Sequence, residues 1–284
     1  MRHPILLTLC AAAIGLSACE QSGEAEVERA LQDMNVVDES NLNDVMLTVG
    51  DPDEAVRYFA SASANDPGRI DLERGLAKSL VRAKRAPEAV AAWQVVVANE
   101  EATNTDRVDL ADAFVRANKW DEAAATLNTI PPTFESFERY RIEAMVADSR
   151  QQWDKADSFY EIAAGLTTQP SNVMNNWGYS KMARGDYKAA EKLFIEAITY
   201  DRKLFTAKNN LVLARAAQKN YALPVIPMSE EEKAQLMYTS GLSAVKQGDT
   251  DIGRGLLQDA IDTHPRHFEE AVRSLESLNR TVKS

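Results

Sequence analysis

The feature that most constrains this chain is an alanine that returns at a nearly fixed distance. It stands at Ala55, Ala89, Ala123, Ala156 and Ala190, at spacings of 34, 34, 33 and 34 residues. Four residues after each comes a bulky side chain: Phe59, Trp93, Leu127, Tyr160 and Phe194. Three further on stand Ala62, Val96, Ile130, Ala163 and Ala197. Another small column runs ahead of them at Ala77, Ala111, Ala144 and Gly178, with Asn43 as a poor member. Steps of three and four place these positions on one helical face. Small residues let two helix backbones approach, and the large neighbour plugs the hole beside them. A single helix-turn-helix pair cannot bury such a face alone, so the period predicts an all-α stack of pairs sharing one core.

Turns are expected at Gly50-Asp51-Pro52, Ala86-Pro87, Asn118-Lys119, Gln151-Gln152 and Gly185-Asp186, where Pro and Gly punctuate the helices. Beyond Tyr200, Phe205 to Asn220 reads as one more first helix, because Asn209-Asn210-Leu211 echoes Asn175-Asn176-Trp177. Its second helix is interrupted. Pro224 falls where the small alanine belongs, and the stretch from Ala222 to Pro227 cannot continue a helix. Ser229 followed by Glu230, Glu231 and Glu232 reads as an N-cap with acids in the first turn. A further repeat spans Glu232 to His267, with Gly241, Gly248-Asp249, Gly253, Leu257, Ala260 and Pro265 in the expected columns, and a last helix from Phe268 to Leu278 closes the stack.

The segment from Asn176 to Ile198, with Gly178, the Gly185-Asp186-Tyr187 turn, Ala190, Phe194 and Ala197, resembles the tetratricopeptide repeat. The resemblance implies a right-handed superhelical solenoid of helix-turn-helix units. In such families the first helix of each unit lines an inner, peptide-binding wall. Mapped onto this sequence, that wall includes Arg74, Lys78, Arg82 and Arg116, then Asn175, Asn176 and Tyr179, then Asn209 and Asn210. The basic group would pair with a carboxylate or an acidic peptide. The asparagine pairs fall at equivalent heights and resemble the ladders with which such superhelices grip peptide backbone; the alternative is an ordinary solvated polar face. Trp93 and Trp177 fall on core columns. Trp120 and Trp153 share the turn-aromatic column of Tyr187 and Tyr221, and all four tryptophans are expected to pack between helices.

Both cysteines lie in the first nineteen residues. Arg2 and His3 give a positive start, and Ile5 to Leu16 is an apolar run too short to span a bilayer. Leu16-Ser17-Ala18-Cys19 resembles the lipobox of bacterial lipoproteins. That resemblance implies a diacylglyceryl group on the Cys19 sulfur, cleavage just before it and acylation of the new amino group. Each buried methylene of such an anchor contributes about 0.8 kcal/mol. Glu20 in place of Asp favours, by the same resemblance, sorting to the periplasm-facing side of the outer membrane. The organisation expected is a signal peptide over 1–18, an acidic tether over 19–35, five full repeats and one partial repeat over 36–222, a Pro-containing linker over 223–231, and a final repeat with its capping helix over 232–284.

Charge narrows the function. With 43 acidic against 32 basic residues the formal net charge is -11, which disfavours nucleic acid, whose binders neutralise phosphates with Lys and Arg, and disfavours a basic patch on an anionic membrane. The lipid anchor is thus the expected membrane contact. His264 and His267 flank Pro265, which breaks the helix between them, so no metal site is expected there. No Gly-rich phosphate loop and no nucleophile with a base at readable spacing stand out, and Glu230 to Glu232 read as capping charge. The expectation is a protein-binding scaffold with no enzymatic activity and no cofactor beyond the acyl lipid.

The layout, with its lipobox, stacked repeats, the break from Leu223 to Pro227 and the tail from Thr263 to Phe268, is most similar to the TadD family of lipoproteins in the tight-adherence (Flp) pilus system. This resemblance implies a pilotin-like role, docking the outer-membrane secretin or another pilus-assembly component. A periplasmic scaffold that recruits a cell-wall enzyme, and a lipoprotein subunit of a barrel-assembly machine, remain the alternatives.

Overall fold

The computed structural model describes residues 42–281; the signal peptide, Cys19 and the tether expected over 19–35 lie outside them. A helix over 42–48 (α1) is followed by α2 (Pro52–Asn65), α3 (Ile70–Arg82), α4 (Ala86–Ala98), α5 (Asn104–Arg116) and α6 (Trp120–Leu127). Then come α7 (Phe137–Ser149), α8 (Trp153–Gly165), α9 (Ser171–Ala183), α10 (Tyr187–Tyr200) and α11 (Phe205–Ala216). The last three are α12 (Glu230–Lys246), α13 (Thr250–Thr263) and α14 (Glu269–Thr281). Among the described residues there is no strand. The chain divides into two compact units, up to Asp106 and from Arg107 onward.

In the first unit Ala55 and Phe59 of α2 pack against Leu72 of α3, with Leu47 and Ala62 at the margin. A Cβ at Gly75 would stand 2.3 Å from the Phe59 ring, so α3 approaches that ring at a residue with no side chain. Trp93 and Val96 of α4 are fully buried. Asn43, the poor member of its column, accepts a hydrogen bond from Tyr58 Oη at 2.8 Å, which satisfies the amide that an alanine would not carry.

In the second unit α7 packs on α8, α9 on α10, and α12 on α13. The column residues are their centres: Ala156, Tyr160 and Ala163 in one cluster, and Ala190, Phe194 and Ala197 in the next. After α11 no residue from 217 to 229 is helical, and α11 packs directly on α12. Tyr221 and Ile226 from this extended stretch pack where a second helix would have stood. Tyr221 donates to Asp249 at 2.6 Å and its carbonyl accepts from Ser240. Ser229 and Glu232 form a reciprocal capping box at the start of α12.

The turns inside the repeats share one geometry. Lys84, Asn118, Gln151, Gly185, Lys219 and Gly248 all adopt positive φ, between 56 and 86°. At Gln151 the backbone N–H bonds the carbonyl of Asp148, and the next N–H, from Gln152, reaches back to Ala147. This is the Schellman closure, which satisfies carbonyls left over at a helix end. The turn expected at Ala86-Pro87 therefore sits two residues earlier, at Lys84 and Arg85, and Pro87 lies in the first turn of α4, where its missing N–H has no partner to lose. Glycine fills the left-handed position only at two of these six turns. Gln151→Gly relieves the Cβ strain of that conformation and is expected to raise stability by up to ~1 kcal/mol after the entropy of the freer unfolded chain is subtracted. A melting temperature lowered by this change would contradict the geometry.

Candidate functional site

The Schellman turns do more than join helices. Two residues after the left-handed position the next helix begins, and in two successive turns of the second unit its first residue is a tryptophan: Trp120 after Asn118, and Trp153 after Gln151. Both rings are half-buried and line one cavity of about 500 Å³. Trp120 and Trp153, expected to pack between helices, instead border a wall open to solvent. Trp120 Nε1 donates to Asn118 Oδ1 at 2.7 Å, which orients its ring.

The rest of the wall comes from the first helices. Met145 and Asp148 of α7, Asn175, Asn176 and Tyr179 of α9, and Asn210 of α11 all line it. On α9 these positions lie three and four apart, on one face, opposite the face that buries Val173 and Gly178. Tyr179 is 58% exposed. Asn175 accepts from Asn210 Nδ2 at 3.0 Å, and Asn176 Nδ2 rests 3.5 Å from Met145 Sδ. Asn175 Nδ2 and the Asn176 carbonyl oxygen are drawn into neither of these two contacts, leaving donor and acceptor capacity for backbone amides of a ligand.

Asp148 is the one charged residue on this wall. Ser180 Oγ donates to its Oδ1 at 2.7 Å and Tyr160 Oη to its Oδ2 at 2.9 Å. Burial raises its pKa above the ordinary carboxylate value, although both hydroxyls pull the other way. Burial and the Asp148 carboxylate in turn push the Tyr160 phenol well up, so it remains a donor. The cations nearby are committed elsewhere. Lys181 and Arg184 both pair with Asp157, at 2.8 and 2.5 Å, and Arg141 and Arg116 both pair with Asp112.

Of the residues expected to bind a peptide, Asn175, Asn176, Tyr179 and Asn210 thus come together. Asn209 does not line the cavity; its side-chain oxygen accepts from Thr239 at 2.9 Å. The asparagines are consequently not plain solvated residues, since Asn210 is buried and three of the four amides, those of Asn175, Asn209 and Asn210, join neighbouring helices. Arg74, Lys78 and Arg82 lie on α3 in the first unit. Arg74 makes a two-pronged pair with Asp106, and Arg82 donates to the carbonyls of Met46 and Gly50, at and just past the C-terminal end of α1. Two members of the expected anion-binding group therefore close helix ends and junctions, while Lys78 is exposed. His264 stacks on Phe268 and His267 meets Glu269, each a local contact. Among the described residues no group of three or more His, Cys, Asp or Glu side chains could hold a metal ion, and no helix is long and apolar enough to cross a membrane.

The family model described as tetratricopeptide repeat matches residues 46–103 and 175–223. Those two segments match tetratricopeptide repeats, and the paired helices of the described residues have the same fold. A mouse relative, tetratricopeptide repeat protein 21B, is 28% identical over 137 residues, which is 44% of this chain and 10% of that protein. A tetratricopeptide repeat protein from Parabacteroides merdae superposes with a TM-score of 0.54 at 14% identity, covering 91% of this chain and 99% of that one. The Cut9–Hcn1 hetero-tetramer of the APC/C gives 0.60 at 12% identity, over 83% of this chain and 48% of that chain. At such identities the likeness is one of fold. This chain spans only a tenth of the mouse protein and about half of the Cut9–Hcn1 chain. The tetratricopeptide-repeat wall is where the sequence and the geometry meet, because its lining alternates between first helices and the opening residues of second helices.

Proposed function

We propose that this protein is a lipid-anchored scaffold that holds an extended segment of a protein partner in the cavity of its second unit. The observation that carries the reading is the wall itself: Trp120, Trp153 and Tyr179 present aromatic surface beside Asn175 and Asn176, whose amides can satisfy a peptide backbone. Aromatic anchors of this kind dominate the energetics of protein interfaces. The lipobox around Cys19 supports attachment to the outer membrane facing the periplasm. The layout shared with TadD lipoproteins supports a pilotin-like place in tight-adherence pilus assembly, with the secretin or another assembly component as partner.

The test uses the tagged full chain in its native envelope. Cys19→Ser is expected to move it from the membrane fraction to the soluble one. Trp153→Ala/Tyr179→Ala is expected to leave it in the membrane but to reduce co-purified secretin or pilus component at least about tenfold. Partner recovery unchanged by that double substitution would remove the cavity from the reading. Membrane retention of the Cys19→Ser protein would remove the anchor.

A further inference from the structure

The sequence pointed to an acidic partner, held by Arg74, Lys78 and Arg82; the wall of the second unit has the opposite character. Its aromatic residues surround a lining in which the only charge is the Asp148 carboxylate. That carboxylate differs from its neighbours. Asp112, Asp157 and Glu191 each sit in an ion pair, whereas among the described residues no direct ion pair forms on Asp148, and Arg184, paired with Asp157, favours its ionised form only from a distance. Its two hydroxyl donors, Ser180 and Tyr160, occupy one lone-pair site on each oxygen. An ionised carboxylate has about four such sites, so acceptor capacity remains.

From this arrangement we infer that the cavity takes a basic side chain, lysine or arginine, from the extended partner segment, placing the cation between the aromatic faces and the Asp148 carboxylate. The inference rests on the peptide-holding reading above. Three physical points favour it. A partly buried carboxylate in an apolar cavity is stabilised most by a cation that brings its own charge-assisted hydrogen bond. Tryptophan faces attract cations through their ring quadrupole, and more so when water is excluded. Trp153 already does this inside the protein, with the Arg184 guanidinium 5.6 Å from its ring centre. Finally, the chain as a whole carries a net charge of -11, which steers a basic segment toward it and an acidic one away. A neutral apolar side chain would fill the volume but would leave the carboxylate desolvated and unmatched, which is unfavourable.

The experiment is a selection of random twelve-residue peptides displayed on phage against the full chain in detergent micelles, followed by tryptophan-fluorescence titration of the consensus peptide. Lysine or arginine is expected at one fixed position of the consensus. Replacing it by norleucine, or changing Asp148→Asn in the protein, is expected to weaken binding at least about tenfold, while Asp148→Asn leaves the melting temperature near that of wild type because the amide oxygen still accepts from a hydroxyl. Trp153→Ala should weaken both peptides, and the consensus peptide more than its norleucine analogue, which has no cation to lose from the ring face. A consensus with an acidic or apolar residue at the anchor position, or binding unchanged by Asp148→Asn, overturns the basic-side-chain inference while leaving the peptide-holding reading in place. Failure to enrich any peptide whose binding depends on Trp153 overturns both.

Discussion

Phe194→Ala is expected to lower the stability of the second unit by ~3–5 kcal/mol, the range for removing a buried phenylalanine ring. Phe194 has no exposed surface and is enclosed by Met174, Ile198 and Leu211. The sharper test is its coupling to Gly178, where an added Cβ would lie 2.6 Å from the ring. In an otherwise free helix, Gly→Ala gains about 1 kcal/mol. Here the Phe194 ring is held by the core and cannot swing away, so Gly178→Ala alone is expected to destabilise. In the Phe194→Ala background the same methyl enters vacated space and recovers its helix preference. The two substitutions should therefore be non-additive by ~1–3 kcal/mol, read from denaturation of the four proteins of the cycle. Additive effects would mean that the glycine column does not exist to admit the ring of the second helix.

That glycine was visible in the sequence because it shares a column with Ala77, Ala111 and Ala144, which are all fully buried. The repeat was legible for a physical reason: close helix crossings tolerate few residue types, so the same constraint writes the same letter every thirty-four residues. Gly75 was missed because it packs against the Phe59 ring of the preceding helix and falls in no column. The turns were placed well at Asn118, Gln151 and Gly185, Gln151 through the period alone, and two residues late at Lys84, where Pro87 marks the first turn of α4 and lysine at positive φ leaves no compositional sign. The site was legible only in part. Asn175, Asn176 and Tyr179 followed from the inward face of a first helix. Trp120 and Trp153 did not, because whether a turn aromatic packs inward or borders a cavity depends on how the neighbouring helices stand. Asp148 gave no signal at all: a lone aspartate near a helix end is common, and what distinguishes it here is the burial and two hydroxyls, Tyr160 from the second helix of its own repeat and Ser180 from the next repeat. Arg74 and Arg82 failed as ligand-binding candidates for the converse reason, that their partners Asp106 and the α1 carbonyls lie more than thirty residues away.

The break after α11 is where the stack should be most sensitive, and Lys208 shows why. A missing second helix leaves α11 to meet α12 directly, and across that contact the nearly inaccessible Lys208 ammonium donates to both carboxylate oxygens of Glu232, each at 2.9 Å. Glu232 also completes the capping box by accepting the Ser229 N–H. Glu232→Gln can preserve the cap but strands a buried ammonium, so it is expected to destabilise by ~3–5 kcal/mol. Lys208→Met leaves the carboxylate partly exposed and still capping, and the expected loss is smaller, ~1–3 kcal/mol. The double variant removes both charges and should return to within about 1 kcal/mol of wild type. Acid gives an independent check of sign. Burial raises the Glu232 pKa, but Lys208 and the Ser229 N–H more than offset it, leaving the folded-state value below the ordinary 4.5. The unfolded chain therefore takes up the proton first as pH falls, so the pair's contribution is complete above about pH 4.5 and is lost as the pH drops below it. The gap in melting temperature between wild type and Lys208→Met should accordingly be widest near neutrality and shrink toward pH 3. A gap that holds constant through that range, or a double variant as unstable as Glu232→Gln alone, would mean that packing around Tyr221 and Ile226, and not this ion pair, fastens the last helices to the repeats before them.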